Sequence, residues 1–198
     1  MRFADKHVLR SPYVCAEFAN GGLPTWLGFK EGIRFREYNE PWTDGARGWF
    51  RAVVEQLRAQ MPQAGGPVIL TQTENELYGA SDEYVRWAGD MAAEELARAG
   101  VSIPVIMCNG QSAENTVNTC NALDCTSFLE SNGQNGKVLI TQPPAWTEVE
   151  LGYQVWSGSP AQPLSYFYGR APEDVAYSLA RWFARGGALT NLYVRPRP

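Results

Sequence analysis

Three carboxylates stand at the ends of short apolar, β-branched runs. Glu76 follows the run at 68–73, Glu148 follows KVLITQ at 137–142 with Trp146 and Thr147 just before it, and Glu17 follows YVCA at 13–16. In a parallel α/β fold the carboxyl ends of the strands form the active face, so side chains there can share one cleft. Cleavage of a glycosidic bond needs two carboxyl groups flanking that bond, one to donate a proton and one to attack or to activate water. Glu76 and Glu148 are read as that pair. Alternation along a strand puts Glu74 on the same side as Glu76. Taken singly, Glu74 and Glu76 are more simply solvated turn residues, Trp146 a core residue and Glu17 half of a surface ion pair. Their coincidence at three strand ends carries the chemical reading.

Composition narrows the alternatives. The 198 residues include 17 Lys and Arg against 21 Asp and Glu, for a formal net charge of −4. The arginines are scattered, so no basic face suited to nucleic acid is expected. A single His, His7, argues against Ser/His/Asp and Cys/His triads, whose general base it would have to supply. Cys15, Cys108, Cys120 and Cys125 form no CxxC pair, and no metal or cofactor is expected. No apolar run approaches the roughly 20 residues that span a bilayer, so no membrane partner is expected. The opening MRFADKHVLR lacks the apolar stretch of a signal peptide. A 44% hydrophobic share fits one globular domain over residues 1–198.

The elements that must position these carboxylates are legible in part. Apolar spacing predicts a helix from about Ala46 to Met61, with Thr43 or Asp44 as cap and Pro62 ending it. A second helix begins after Ser81, with Asp82 and Glu83 in its first turn and Gly100 closing it in a left-handed conformation. A third runs from about Pro172 to Arg185 and closes at Gly186 and Gly187. The runs GPVILTQTE, SIPVIMCN and KVLITQ read as buried strands. Strand, helix, strand order with continuous apolar strands predicts an α/β fold with a covered parallel sheet, in a barrel or an open sheet. Residues 109–136 show no clear pattern.

Longer motifs give these residues a family. RSPYVCAEFANGGLPTWL at 10–27, GGPVILTQTENE at 65–76, VNTCNALDC at 117–125, PAWTE at 144–148 and RAPEDVAYSLARWFARGGALTNLY at 170–193 together resemble, in order, the signatures of glycoside hydrolase family 35, the β-galactosidases. The resemblance implies a (β/α)8 TIM-barrel catalytic domain and a retaining mechanism with Glu76 as general acid and base and Glu148 as nucleophile. It implies that Cys15, Ala16, Glu17, Asn75 and Tyr193 contact the sugar, and that the two catalytic carboxyl groups lie about 5–5.5 Å apart. A galactoside or galactose-containing oligosaccharide is the implied partner, and a lysosomal, cell-wall or extracellular setting the implied location.

Departures from the family pattern are specific. Ser11 and Phe18 replace a usual Gly and Trp, Leu77 intrudes between ENE and Tyr78–Gly79, and Glu150 stands at a Trp position, where it reads as a loop charge. By comparison with the family the chain starts at the third barrel strand and stops in the eighth, so strands three to eight of an incomplete barrel are expected, and N- and C-terminal segments of a parent protein are implied. A typical barrel takes about 250 residues. The readings set beside β-galactosidase are a β-glycosidase of other specificity, such as a β-glucosaminidase, and a non-catalytic relic of the same fold. Retention of both Glu76 and Glu148 favours the enzyme. Cys120 and Cys125 pair only if the chain meets an oxidising compartment.

Overall fold

The computed structural model describes residues 7–10, 19–130, 142–155 and 166–193. The chain divides into two compact units, Met1–Asn118 and Thr119–Pro198. The first unit orders β1 (His7–Arg10), α1 (Glu40–Gln56), β2 (Val68–Asn75), α2 (Asp82–Arg98) and β3 (Val105–Cys108). β1 pairs with β2 and β2 with β3, both parallel. Parallel neighbours need crossovers, and α1 stands between β1 and β2 and α2 between β2 and β3 in the chain. The α/β class read from the pattern is what this unit shows.

α2 starts where its cap chemistry says it should. The Ser81 side chain accepts from the Tyr84 N–H at 3.2 Å, and the Val101 N–H closes back on the Leu96 carbonyl at 2.9 Å past a left-handed Gly100. α1 differs from expectation at both ends. Asn39 caps it and Pro41 occupies its first turn, six residues before the expected start, because Trp42, 1% exposed, already belongs to the core. It stops at Gln56, short of Met61. The chain then turns so tightly that a Cβ on Gly66 would lie 2.0 Å from the Gln60 carbonyl, which a continuous helix would not allow. Phe50 and Val54 from α1, Met91, Ala92 and Leu96 from α2, and Val68 and Val105 from the strands form one apolar cluster; Trp42, Tyr84, Leu77 and Met107 lie in a second.

One charged group is buried between the helices. Glu95 on α2 is 2% exposed and takes hydrogen bonds from Arg51 at 2.8 Å, Arg98 at 2.8 Å and Arg47 at 3.2 Å. Led by the Arg51 hydrogen bonds, these guanidiniums hold its carboxyl down to about 2 from an ordinary 4.5. A carboxyl held low contributes stability that is complete above pH ~4.5 and drains away as pH falls toward ~2. Because the three arginines stay 30–48% exposed, screening trims the effect to about 2 kcal/mol. The expected outcome is a fall in unfolding free energy between pH 4.5 and pH 2 that Glu95→Gln flattens, read by denaturant titration at stepped pH.

The second unit contains most of β4 (Val117–Ala122), then α3 (Thr126–Glu130), β5 (Ala145–Glu150), β6 (Gly152–Val155), β7 (Tyr166–Gly169), α4 (Pro172–Ala184) and β8 (Leu189–Tyr193). β4 pairs with β5 and β5 with β8 in parallel, while β6 and β7 form an antiparallel hairpin that the sequence reading did not anticipate. β4 and α3 occupy part of the stretch that showed no pattern. α4 matches its expected bounds within a residue. The expected strand at 137–142 and the YVCA strand lie outside the described residues, apart from Gln142, which is not in a strand.

Trp146, Val149, Trp182, Cys120 and Cys125 make the core of this unit, and Cys120 and Cys125 are joined by a disulfide. Arg170 ties its loops together: its guanidinium donates to the Leu123 and Glu150 carbonyls and to the Ser178 hydroxyl, and it pairs with Asp174 at 2.7 Å. The Arg and Asp of the RAPED stretch thus hold structure together.

Candidate active site

In the first unit, β2 carries one residue more than β3: Gln72 pairs with Ile106, but Glu74 pairs with Met107. This bulge at Thr73 breaks the alternation. The Thr73 hydroxyl reaches the Ala88 carbonyl at 3.1 Å and the Glu74 carboxylate takes the Tyr84 hydroxyl at 2.6 Å, so two consecutive side chains turn toward α2. Gln72 and Asn75, three apart, then meet, with the Gln72 amide donating to Asn75 Oδ1 at 2.8 Å. The expectation that Glu74 and Glu76 project to one side is therefore corrected. Glu74 is 1% exposed and ion-paired with Arg36 at 2.8 Å, whereas Glu76 lies exposed, one residue beyond the strand.

The turn that presents Glu76 is unusual. Its φ is 50°, its N–H donates to the Cys108 carbonyl at 2.8 Å, and Asn109, next along from Cys108, has φ 46°. Arg36, which donates to the Asn75 carbonyl at 2.5 Å, has φ 57°. These are the non-glycine residues with left-handed backbone among the described residues, and all three belong to this one spot. Each costs on the order of 1 kcal/mol, and such conformations concentrate where function holds them in place.

The loops after β2 and β3 are sewn together. Gln111 donates from its backbone to the Leu77 carbonyl at 2.8 Å and brackets Ala80 with both ends of its amide. Gly110, at φ 143°, sits so close that an added Cβ would lie 2.3 Å from the Leu77 oxygen. Gly110→Ala is expected to cost about 3 kcal/mol and to displace the Glu76 turn. A thermal melt together with the amide shifts of residues 74–78 checks this.

A groove of about 510 Å³ opens beside Leu77, Tyr78 and Gly79, with Tyr38 and Glu83 also on its walls. Tyr38 and Tyr78 are exposed. Partial desolvation and, after it, the Glu76 charge raise the Tyr78 hydroxyl above its ordinary value.

In the second unit, β5 carries an extra residue relative to both neighbours. Cys120 and Asn121 face Trp146 and Glu148, and Thr190 and Leu192 face Trp146 and Val149. The bulge lets Trp146 and Val149 share the apolar core, with Thr147 and Glu148 between them. The Thr147 hydroxyl meets that of Thr119 at 2.8 Å and donates to Asn121 Oδ1 at 3.1 Å. Glu148 is 6% exposed and lies within β5 rather than after a strand. Trp146 is fully buried, its indole N–H donating to the Glu148 and Ala122 carbonyls, so it supports Glu148 from behind and is no platform for a ligand. Glu150 ends β5 and is half-buried, not a loop charge, and Tyr193, its register partner, ends β8.

Of the remaining expected residues, Asn75 ends β2 beside Glu76, while Cys15, Ala16 and Glu17 lie outside the described residues. Sequence reasoning missed Arg36, Gln72 and Tyr84. The available signal was Glu74, since a carboxylate beside a buried strand end demands a cation.

The family model described as glycosyl hydrolases family 35 matches residues 6–195. The chain belongs to this family. Relatives include a probable β-galactosidase 2 of Dictyostelium discoideum, 35% identical over 92% of this chain. A β-galactosidase 8 of Arabidopsis thaliana is 34% identical and a β-galactosidase 6 of Oryza sativa subsp. japonica 36% identical, each over 95% of this chain. The chain spans only 21–23% of the length of these relatives. Its parallel α/β architecture is consistent with part of a family 35 TIM-type barrel. Among the described residues no helix is long and apolar enough to cross a membrane.

Proposed function

We propose that this family 35 chain carries the two catalytic carboxylates of a retaining β-galactosidase that removes terminal, non-reducing β-D-galactose. The observation that carries the reading is the turn after β2, where an exposed Glu76 with left-handed backbone stands with two further left-handed non-glycine residues, Arg36 and Asn109. The family motifs around Glu76 and Glu148 and the names of the relatives support it.

Glu148, ionised, attacks the anomeric carbon as Glu76 gives its proton to the departing glycosidic oxygen, leaving a galactosyl ester on Glu148. Glu76, now a carboxylate, takes a proton from water. That water attacks the same carbon from the opposite face, frees Glu148 and restores the β configuration. Asn75, whose Oδ1 accepts from Gln72, is the residue proposed to hydrogen-bond the 2-hydroxyl, a bond that strengthens in the transition state. Cys15, Ala16, Glu17 and Tyr193 make the other sugar contacts.

The test is proton NMR of the first sugar released by the 198-residue chain from nitrophenyl β-galactoside and, separately, nitrophenyl β-glucosaminide, each beside an identically prepared Glu148→Gln control. β-Galactose as first product is expected. The α anomer, faster turnover of the glucosaminide, or no release above the control would each reject the reading.

A further inference from the structure

We propose that Arg36 is a positioning residue for the acid/base: it fixes the peptide between Asn75 and Glu76, and with it the direction in which Glu76 delivers its proton. The inference rests on Glu76 having that role.

The Asn75 carbonyl is half of the peptide plane that leads into Glu76. Arg36 Nη2 holds that oxygen at 2.5 Å, and the Glu76 N–H on the other side of the same plane is held by the Cys108 carbonyl at 2.8 Å. A planar peptide gripped at both polar atoms does not rotate, so Glu76 keeps its left-handed φ instead of relaxing. The rest of Asn75 is tied as well: its N–H donates to Glu74 Oε2 at 3.1 Å and its Oδ1 accepts from Gln72.

Arg36 is itself anchored. The nitrogen that holds Asn75 also meets Glu74 Oε2 at 2.8 Å; Glu74 Oε1 takes the Tyr84 hydroxyl, and that hydroxyl accepts from the Trp42 indole at 3.0 Å. Glu74, Tyr84 and Trp42 are each no more than 2% exposed, so the chain of bonds runs through packed core to both helices of the unit. Burial and the Glu74 charge push the Tyr84 hydroxyl well above its ordinary value, which keeps it a donor. With its oxygens engaged by Tyr84, Arg36 and the Asn75 N–H, Glu74 is a strut and not a second proton donor.

The experiment uses Arg36→Met combined with Glu74→Gln, which leaves no unpaired buried charge, beside Arg58→Gln as an exposed control. A far-ultraviolet melt establishes that each variant is folded. Hydrogen exchange at the Glu76 amide, referenced to Ala92 in α2, is expected to quicken about tenfold or more in the double variant only. Turnover of methyl β-galactoside, whose leaving group needs the proton, is expected to fall on the order of 100-fold, and that of dinitrophenyl β-galactoside, which does not need it, by less than about threefold.

Unchanged exchange at Glu76 overturns the tether. Equal losses on both substrates overturn its catalytic meaning, since general damage to the fold would lower both alike. A wild-type chain that hydrolyses neither galactoside overturns the role given to Glu76 and the inference built on it, a failure the exchange result separates from a failure of the tether.

Discussion

Glu148→Gln is expected to lower hydrolysis of nitrophenyl β-galactoside on the order of 10⁴-fold while leaving the melting curve nearly unchanged. The amide has the shape of the carboxyl group it replaces, so the packing around this buried side chain, 6% exposed, is kept. What is lost is the nucleophile: an amide oxygen does not form the galactosyl ester, and removal of a residue that bonds covalently to substrate costs several powers of ten. Steady-state rates and a parallel denaturant titration measure both halves. A fall of less than tenfold moves the nucleophile to another carboxylate.

Trp182→Ala is expected to destabilise the second unit by about 3–5 kcal/mol, the range for large aromatic truncations in a core. Trp182 is completely buried, its ring 5.7 Å from that of Trp146 and inclined at 60°. Its indole nitrogen has no hydrogen-bond partner. That makes Trp182→Phe informative: it keeps most of the aromatic packing and removes the unsatisfied donor, so its cost is expected to stay under about 1.5 kcal/mol. Urea unfolding of the two variants gives the comparison. Because Trp182 backs Trp146, whose indole donates to the Glu148 carbonyl, Trp182→Ala is also expected to lower kcat in chain that remains folded.

α2, α4, β2 and β3 could be read before the structure because cap residues, apolar period and closing glycines agreed with one another. β4 could not. Its Asn118, Thr119 and Asn121 are buried, and polar residues of this kind resemble a loop until their partners, such as the Thr147 hydroxyl, are known. Glu76, Asn75 and Glu148 were legible as motif residues. Their immediate geometry was not, because a bulge is a relation between a strand and its neighbour, and neither the extra residue at Thr73 nor that between Trp146 and Val149 shows in the strand's own pattern. Arg36 stands in a short polar loop with no periodicity to mark it.

The bridge between Cys120 and Cys125 joins the interior of β4 to the residue before α3, and Asn121, next to Cys120, is the register partner of Glu148. Two preparations of one sequence, from a reducing and from an oxidising host, would differ by two hydrogen atoms and by a crosslink beside that strand. Rates compared between laboratories are therefore comparable only when thiol titration shows the same oxidation state.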